Sequence, residues 1–560
     1  MTSLKHYSSL TLISLVASLS CNADHYKLFV LTGESNALGM TDSGETDVTP
    51  GSDPADQHVQ FYWDNIETEA TPIGDSAGSF STLQSQQGGH YSGSATHWGP
   101  EVNFARTLYR AGVRDFAVIK ASRGNTGGNS LWSKGSADDH MYDHVVDTVT
   151  AATTELTNNG HTFEISGLLY HQGESDSAAE AALAGSRVKD LVDNLRVDLP
   201  SASSLHGLIA GITAEGTDRD TVRTQQAATA GSTSYLDFIS NTDLVSSLYN
   251  GIDLNKQGKN TVGERFALSA LSADLVDHHY GNLTFMGDSI TQGGNGDHPS
   301  YRYTVFKHLA NNSVPINSST GYKFTGSVTG PFNNSSLTTP DVNGQSFENV
   351  HDGHYGWRAF WINGRVALPS SRRSGNRGEG TILNWTNQAS PQQYDLNSLG
   401  NKVSYPDLTT SGTGNTGTTY TPDTVVMLIG INDLGDGSHD AVQANADISL
   451  MIDQLRAANP NVRIHLNMVL PTSRNLSWES TKIDELNGYL VTLAATKNAS
   501  SSTSSVWIID AATDFIPSSM TYDNIHPNSV GEAFVGDRMA ASLGLAETPA
   551  PPIAPEPPHT

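Results

Sequence analysis

The chain has 560 residues, a formal net charge of −27, 37% hydrophobic residues and 16% charged residues. A chain of this length exceeds one ordinary hydrophobic core, so two or three domains are expected. The negative charge argues against nucleic acid or an anionic membrane surface as a partner, and it suits a protein that acts on neutral substrates. The single cysteine is Cys21.

The N-terminal segment has the pattern of a secretory signal peptide. An apolar run over residues 10–19 follows a basic N-terminus and precedes the small residue Ala23. The run is too short to span a bilayer, and no other segment is apolar over the length of a membrane helix. We therefore predict a signal peptide over residues 1–23 and a secreted protein, extracellular or periplasmic. Lipid anchoring through Cys21 is the alternative.

Strands and helices alternate along residues 24–278. The predicted strands are 27–32, 115–121, 165–170 and 205–212, and the predicted helices are 98–109, 141–157, 178–198 and 256–275. Residues 41–96 are polar and rich in Gly, Ser, Asp and Gln, which predicts loops. Alternation of this kind is typical of a parallel sheet covered by helices on both faces.

The same pattern restarts at residue 283. The predicted strands are 283–286, 424–429, 462–470 and 506–510, and the predicted helices are 301–311, 439–458, 480–496 and 528–543. Residues 313–420 are long and polar and are expected to be mostly irregular. We predict an α/β fold with two similar units in tandem, 24–278 and 279–546, followed by a Pro-rich disordered tail over 547–560.

Three separated motifs of the second unit indicate one hydrolytic site. Gly287 ends an apolar strand and Ser289 follows it, at the strand end where open α/β sheets place their chemistry. A serine hydroxyl needs an adjacent base, and His526 supplies an imidazole. Asp523 lies three residues before His526 and can orient it. The alternative is a purely structural role, in which Asp523 and His526 only cap the last helix.

The tetrahedral intermediate of ester hydrolysis also needs hydrogen-bond donors for its oxyanion. The backbone N–H of Ser289 is one candidate, and the side-chain amide of Asn432, just after a buried strand, is a second. Gly356, in a Gly-Trp context, is the candidate for a further backbone donor, although Gly353 lies close to it.

This set of motifs resembles the SGNH (GDSL-like) hydrolase superfamily over about residues 281–545. The Gly-Trp context around Gly356 is most similar to acetylxylan esterases of carbohydrate esterase family 3. The resemblance implies two flavodoxin-like α/β/α domains, Ser-His-Asp ester hydrolysis and no cofactor or metal. His351, His354 and His439 have no clear metal-ligand spacing, and we expect them at the surface or in the cleft.

The first unit carries related motifs. The segments Gly-Glu-Ser at 33–35, Trp-Gly-Pro-Glu at 98–101 and His-Gln-Gly-Glu at 171–174 resemble the sialate O-acetylesterase type, related to carbohydrate esterase family 6. The segments 249–255 and 522–528 also align without a gap, which indicates an internal repeat.

The resemblance implies that Ser35 is the nucleophile of the first unit, that Gly99 donates to the oxyanion and that Gln172 supplies the side-chain amide. The last motif departs from the family, because Asn250 and Asp253 stand where Asp and His are expected. A carboxylate is a much weaker base than imidazole. We therefore expect the first unit to be impaired or inactive. The alternative is that His171 or His97 serves as its base.

The sequence thus predicts a secreted esterase that removes acetyl groups from a polysaccharide, with xylan-type chains as the leading substrate. No nucleic acid and no membrane span are expected, and the oligomeric state is left open. Two alternatives remain: a GDSL-type lipid or thioester hydrolase, and a non-catalytic carbohydrate-binding protein. Trp357, Trp361 and Trp385 either line a sugar-stacking cleft or pack the long polar loops onto the body.

Overall fold

The computed structural model covers most of both predicted units. It describes residues 24–39, 50–64, 79–86, 97–136, 141–294, 298–326, 328–332, 334, 336–363, 395–396, 402–403, 421–434, 440–474, 479–501 and 503–545. The predicted signal peptide, the predicted tail, His439 and Trp385 lie outside these residues. In the described part of the chain, no helix combines the length and the apolarity needed to cross a membrane.

The first unit is built on a seven-stranded sheet with the order β3-β2-β4-β1-β5-β6-β7. Its strands are β1 His25–Gly33, β2 Gln60–Asp64, β3 Ser81–Thr82, β4 Phe116–Ser122, β5 Thr162–His171, β6 His206–Ala210 and β7 Leu236–Ile239. Its helices are α1 Ser35–Leu38, α2 Glu101–Arg110, α3 Asn129–Trp132, α4 Met141–Asn158, α5 Ala178–Ala181, α6 Ala184–Asp198, α7 Thr217–Ala230 and α8 Lys256–Ser272, with 3-10 helices at Pro54–Gln57 and Thr242–Ser247. All strand pairs are parallel except β2 with β3.

The second unit repeats this architecture with the order β10-β11-β8-β14-β15-β16, and β9 pairs with the beginning of β8. Its strands are β8 Gly281–Gly287, β9 Tyr322–Thr325, β10 Val328–Thr329, β11 Val350–Gly353, β14 Thr424–Leu428, β15 Arg463–Asn467 and β16 Val506–Ile509, with a separate hairpin of β12 Asp395–Leu396 and β13 Lys402–Val403. Its helices are α9 Ser289–Gln292, α10 Tyr301–Asn311, α11 Ala359–Ile362, α12 Ile431–Leu434, α13 Ala441–Ala458, α14 Glu479–Ala499, α15 Pro517–Met520 and α16 Ser529–Ser542.

The central strand β1 shows why each sheet is covered on both sides. Phe29 and Leu31 enter one apolar cluster with α2 and α8. Leu28 and Val30 enter another with α4 and α6. Successive side chains of a strand point to opposite faces, so a continuous apolar run needs a helical layer on each face. The predicted fold class, two tandem α/β/α units with mainly parallel sheets, is confirmed.

Several predicted loops contain regular structure. The prediction of loops over residues 41–96 is wrong at Gln60–Asp64, which pairs in parallel with β4. The irregular region predicted over 313–420 contains β9, β10 and β11. Helix α7 and strand β7 were not predicted. These strands are short and depend on pairing with long neighbours, so their own sequence carries little periodic signal.

The two units pack together through Trp507 of β16. This side chain is 4% exposed, belongs to the same apolar cluster as α2 of the first unit, and donates from Nε1 to Asp53 Oδ1 at 3.1 Å. His465 of β15 stacks on it with ring centroids 4.8 Å apart. Asp53 also pairs with Arg110 of α2. A residue of the second sheet therefore completes the core of the first unit.

Candidate active site

Ser289 lies at the carboxyl end of the central strand of the second sheet. Strand β8 ends at Gly287 and the short helix α9 begins at Ser289. The carboxylate of Asp288 accepts the backbone N–H of Ile290 at 2.9 Å and so caps this helix. A Cβ atom at Gly287 would lie 2.0 Å from the carbonyl oxygen of Leu428, so the turn requires glycine.

The structure brings Ser289, His526 and Asp523 into one chain of hydrogen bonds. Nε2 of His526 lies 2.8 Å from Ser289 Oγ, and Nδ1 of His526 lies 2.6 Å from Asp523 Oδ2. Ser289 is 4% exposed and His526 is 7% exposed. This arrangement can move the serine proton to the imidazole while the carboxylate holds the ring in the required tautomer.

The Asp523 carboxylate is held by the turn that carries His526. Its Oδ1 atom accepts the backbone N–H groups of Ile525 and His526 at 3.1 and 2.8 Å. Partial burial acts to raise the pKa of Asp523, but the hydrogen bonds from the backbone and side chain of His526 outweigh it and lower the pKa below its ordinary value. The carboxylate is therefore ionised when it faces the imidazole.

Two of the predicted oxyanion donors, Gly356 and Asn432, lie just after the two strands beside β8. Gly353 of β11 and Leu428 of β14 both pair with Gly287, so the loops that follow both strands start next to α9. The first loop carries Gly356, whose φ is +73°. The second carries Asn432, whose Nδ2 atom donates to the carbonyl oxygen of Trp357 at 3.0 Å.

The backbone N–H groups at positions 289 and 356 donate no hydrogen bond to any residue within the described ranges. They are therefore available for a ligand oxygen. The Asn432 amide holds the loop just after Gly356 and has a second N–H that can point elsewhere.

Gln292 and Arg302 support this arrangement, and the motifs did not identify either residue. Gln292 ends α9, and its Oε1 atom accepts the backbone N–H of Tyr355 at 2.7 Å, next to Gly356. Arg302 is fully buried and donates to the carbonyl oxygens of Thr291 and Gln292 at 2.7 and 3.0 Å. Burial lowers the pKa of Arg302 to about 9. Helix α9, which begins at Ser289, and the loop that carries Gly356 are thus tied to each other.

Two further carboxyl groups are buried under the site. Burial raises the pKa of Asp288 to about 7 and that of Asp433 to about 8. Both oxygens of Asp433 accept the backbone N–H of Ala359, at 3.1 and 3.0 Å. Asp433 therefore anchors the start of α11.

The tryptophan and histidine predictions are corrected by burial. Trp357 is 1% exposed and Trp361 is 9% exposed, and both belong to the core of the second unit, so neither stacks on a sugar at the surface. His351 and His354 are fully buried, and the expectation that they lie at the surface or in the cleft is wrong.

Tyr522 is 38% exposed and stacks on His526 with ring centroids 5.8 Å apart.

The structure brings the corresponding residues of the first unit together as well. Ser35 Oγ donates to Asp253 Oδ1 at 2.6 Å, and Asn250 Nδ2 donates to Asp253 Oδ2 at 2.7 Å. His171 is fully buried, and its Nε2 atom lies 3.1 Å from Glu174. The contact partner of Ser35 is therefore the carboxylate, and not an imidazole.

The buried residue Glu34, which departs from the family pattern, also lies against this site. Burial and the charge of Glu174 raise the pKa of Glu34. Its Oε1 atom accepts the backbone N–H of Gly173 at 2.7 Å, and its Oε2 atom lies 2.5 Å from Ser175 Oγ. Glu34 thus holds the loop after β5 in place.

The prediction for Gly99 is not met. Its N–H donates to Glu101 Oε1 at 2.8 Å, at the start of α2, and that carboxylate is paired with the buried Lys120. The register identifies a different counterpart of Gly356: Ser122 ends β4 opposite Gly33, as Gly353 ends β11 opposite Gly287, and Asn125 follows three residues later with a φ of +58°. The motifs did not identify Asn125 because its distinguishing feature is a positive φ, which is rare for a residue other than glycine and which the sequence does not show.

Gln172 occupies the place expected of the side-chain amide. Its Nε2 atom donates to the carbonyl oxygen of Thr126 at 3.2 Å and to Asp176 Oδ1 at 3.2 Å. Thr126 directly follows Asn125, just as Trp357 follows Gly356, so Gln172 holds its loop as Asn432 does in the second unit.

Two regions of the chain match models of known families. Residues 25–272 match the family described as carbohydrate esterase, sialic acid-specific acetylesterase. Residues 374–534 match the GDSL-like lipase/acylhydrolase family; this range includes Asn432, Asp523 and His526 and begins after Ser289. The chain therefore has two regions that are similar to hydrolase families. A comparison with curated proteins finds no match.

Three of the solved structures that are similar to this chain are described as carbohydrate or acetylxylan esterases. A carbohydrate esterase family 3 protein from Talaromyces cellulolyticus is 22% identical, with 47% of this chain and 95% of that chain covered and a TM-score of 0.32. A family 3 carbohydrate esterase from Clostridium thermocellum is 20% identical, with 46% and 93% covered and a TM-score of 0.30. An acetylxylan esterase from Geobacillus stearothermophilus is 15% identical, with 48% and 97% covered and a TM-score of 0.28.

Proposed function

We propose that the protein is a secreted carbohydrate O-acetylesterase whose second unit, residues 279–546, removes acetyl groups from a polysaccharide such as acetylated xylan. The first unit, residues 24–278, is impaired in hydrolysis. The observation that carries the proposal is the hydrogen-bond chain from Ser289 through His526 to Asp523, at the carboxyl end of a parallel sheet.

In the proposed reaction, Ser289 Oγ attacks the acetyl carbonyl carbon and gives its proton to Nε2 of His526. Asp523 stabilises the imidazolium that forms. The N–H groups of Ser289 and Gly356 and the amide of Asn432 donate to the oxyanion. Collapse of the intermediate breaks the C–O bond to the sugar, and His526 protonates the departing hydroxyl. Water, activated by His526, then hydrolyses the acetyl-serine and releases acetate.

A carbohydrate substrate is supported by the carbohydrate esterase family that matches residues 25–272. The polar composition of residues 313–420 points the same way, because a lipid hydrolase needs an apolar acyl channel. The GDSL-like family that matches the second region also contains lipases. The length of the acyl chain therefore distinguishes the two candidate substrates, an acetylated carbohydrate and a lipid ester.

The test is acetate release from a panel of acetylated polysaccharides, with Ser289→Ala as the inactive variant. Ser480→Ala, an exposed position on α14 of the same unit, is the matched control. We expect Ser480→Ala to keep the parent rate and Ser289→Ala to lose on the order of 10³-fold or more. Full activity in Ser289→Ala would contradict the proposal. A preference for p-nitrophenyl octanoate over p-nitrophenyl acetate would favour the lipid hydrolase instead.

Export is tested separately. The mature protein recovered outside the cytoplasm should begin at Asp24, the residue after the predicted cleavage point. A mature chain that retains residues 1–23, or one that begins with a lipid-modified Cys21, would contradict cleavage at Ala23.

A further inference from the structure

The turn that carries Asp253 is a copy of the turn that carries His526. The N–H of Tyr249 donates to the carbonyl oxygen of Asp253 at 3.1 Å, and the N–H of Tyr522 donates to that of His526 at 3.1 Å. Each turn is closed by an antiparallel bridge, Leu248 with Leu254 and Thr521 with Pro527.

The side chains inside the two turns make the same contacts. Asn250 Oδ1 accepts the N–H groups of residues 252 and 253 at 2.9 and 2.6 Å, as Asp523 Oδ1 does for residues 525 and 526 at 3.1 and 2.8 Å. The contact to the serine Oγ is 2.6 Å in the first unit and 2.8 Å in the second. Two substitutions have therefore changed the chemistry of the turn and left its geometry intact.

The loop that would bind an ester carbonyl is preserved in the same detail. The N–H of Arg123 donates to the carbonyl oxygen of Gly33 at 3.1 Å, and the N–H of His354 donates to that of Gly287 at 3.0 Å. Asp176 accepts the N–H of Gly128, as Asp433 accepts that of Ala359.

Together with the positive φ of Asn125 and the amide of Gln172, these contacts reproduce the oxyanion loop of the second unit. The N–H groups of Ser35 and Asn125 donate to no residue in the part of the chain that the structure describes.

The acid–base pair is missing, and the side-chain amide has no N–H left for a ligand, because Gln172 Nε2 already donates to Thr126 and to Asp176. Each oxygen of Asp253 already accepts one hydrogen bond, from Ser35 Oγ and from Asn250 Nδ2. A carboxylate is a weaker base than imidazole, and once ionised it has no proton for a leaving hydroxyl. The carboxylate can accept a hydrogen bond from a sugar hydroxyl, and the two backbone N–H groups can donate hydrogen bonds to a carbonyl oxygen of the ligand.

We propose that the first unit is a binding site for an O-acetylated sugar that it does not hydrolyse, formed by Ser35, Asn125 and Asp253. The identity of the sugar rests on the substrate class proposed for the second unit. The site holds the acetylated polysaccharide by the same ester group that the second unit removes, so it favours chains that are still acetylated.

The first test restores the missing pair in the full chain. In the Ser289→Ala background, which removes the second nucleophile, Asn250→Asp and Asp253→His rebuild a Ser-His-Asp set in the first unit. We expect the release of p-nitrophenol from p-nitrophenyl acetate to rise at least about ten-fold over the background, a change of about 1.4 kcal/mol in the barrier. Adding Ser35→Ala should abolish the gain. A variant that melts at the parent temperature and shows no Ser35-dependent gain in p-nitrophenol release would contradict the inference that the first unit keeps the geometry of a hydrolytic site.

The second test measures binding and does not depend on the engineered turn. The Ser289→Ala chain is titrated by calorimetry with an acetylated xylo-oligosaccharide and with its deacetylated form. We expect two sites for the acetylated form, one of them lost in Ser35→Leu, which fills the space beside Asp253. A stoichiometry that Ser35→Leu leaves unchanged, or equal binding of the deacetylated form at this site, would overturn the proposal. The proposed function of the second unit would fail in a different experiment: the parent protein would release no acetate that depends on Ser289.

Discussion

Nδ1 of His526 lies 2.6 Å from Oδ2 of Asp523, and the other oxygen of this carboxylate accepts two backbone N–H groups of the same turn. Asp523→Asn keeps the shape of this contact but permits the wrong imidazole tautomer, which cannot accept the serine proton. We expect kcat to fall on the order of 10⁴-fold while KM changes little. Steady-state kinetics with p-nitrophenyl acetate measure both values. A fall of less than about ten-fold would show that the carboxylate only stabilises the turn that carries His526.

Asn432 is tested by changing its donor and keeping its shape. Its amide donates to the carbonyl oxygen of Trp357 and is the candidate side-chain donor to the oxyanion. Asn432→Asp replaces this donor with an acceptor, so we expect a fall in kcat of about 10²–10³-fold, equal to that of Asn432→Ala. If Asn432→Asp retained the parent kcat, donation from this amide would not contribute to catalysis.

Gln292 is predicted to be a positioning residue for the oxyanion loop. Its Oε1 atom accepts the N–H of Tyr355, the residue before Gly356. Gln292→Met removes the acceptor at similar volume and leaves a buried N–H unsatisfied, which costs about 1–3 kcal/mol of folding free energy. We expect kcat to fall about ten-fold with little change in KM. Gln292→Glu keeps an acceptor and should retain more of the parent kcat; equal losses in both variants would contradict the positioning role.

Asp433 makes stability depend on pH. Burial raises the pKa of its carboxyl to about 8 in the folded protein, above the value of about 3.9 for an exposed aspartate. Between these two values the folded state holds a proton that the unfolded state releases. This contribution to stability is therefore complete below about pH 4 and is lost as the pH rises through about 8.

Asp433→Asn removes this dependence because the amide does not titrate. We expect the melting temperature of the parent protein to fall more steeply between pH 5 and pH 9 than that of Asp433→Asn, measured by scanning calorimetry. Parallel curves for the two proteins would show that Asp433 does not bind a proton preferentially in the folded state.

Trp507 is predicted to couple the unfolding of the two units. Its side chain fills the core of the first unit from the second sheet. Trp507→Ala should cost about 3–5 kcal/mol and separate thermal unfolding into two transitions. Trp507→Phe keeps a ring in the cluster and loses only the hydrogen bond to Asp53, so we expect a smaller loss and a single transition. Two transitions already present in the parent protein would contradict this coupling.

The long elements and the catalytic motifs of the second unit were predictable from the sequence. Apolar runs that end at Gly287 and near Gly430 predict buried parallel strands, and both strands form with the expected alternation of helices. Short edge strands such as Gln60–Asp64 were missed because pairing with a neighbour stabilises them more than their own composition does. The presence of Asn250 and Asp253 at the positions where Asp and His are expected was also visible, because it depends only on residue identity.

The sequence by itself determined which chemical groups are present: one hydroxyl, imidazole and carboxylate in the second unit, and a hydroxyl, carboxylate and amide in the first. Only the tertiary structure decided which backbone groups face them. Strand register and a positive φ make Asn125, and not Gly99, the counterpart of Gly356, and Trp357 is buried in the core. These properties arise from contacts between segments far apart in the chain, whereas a motif records only the order of its own residues.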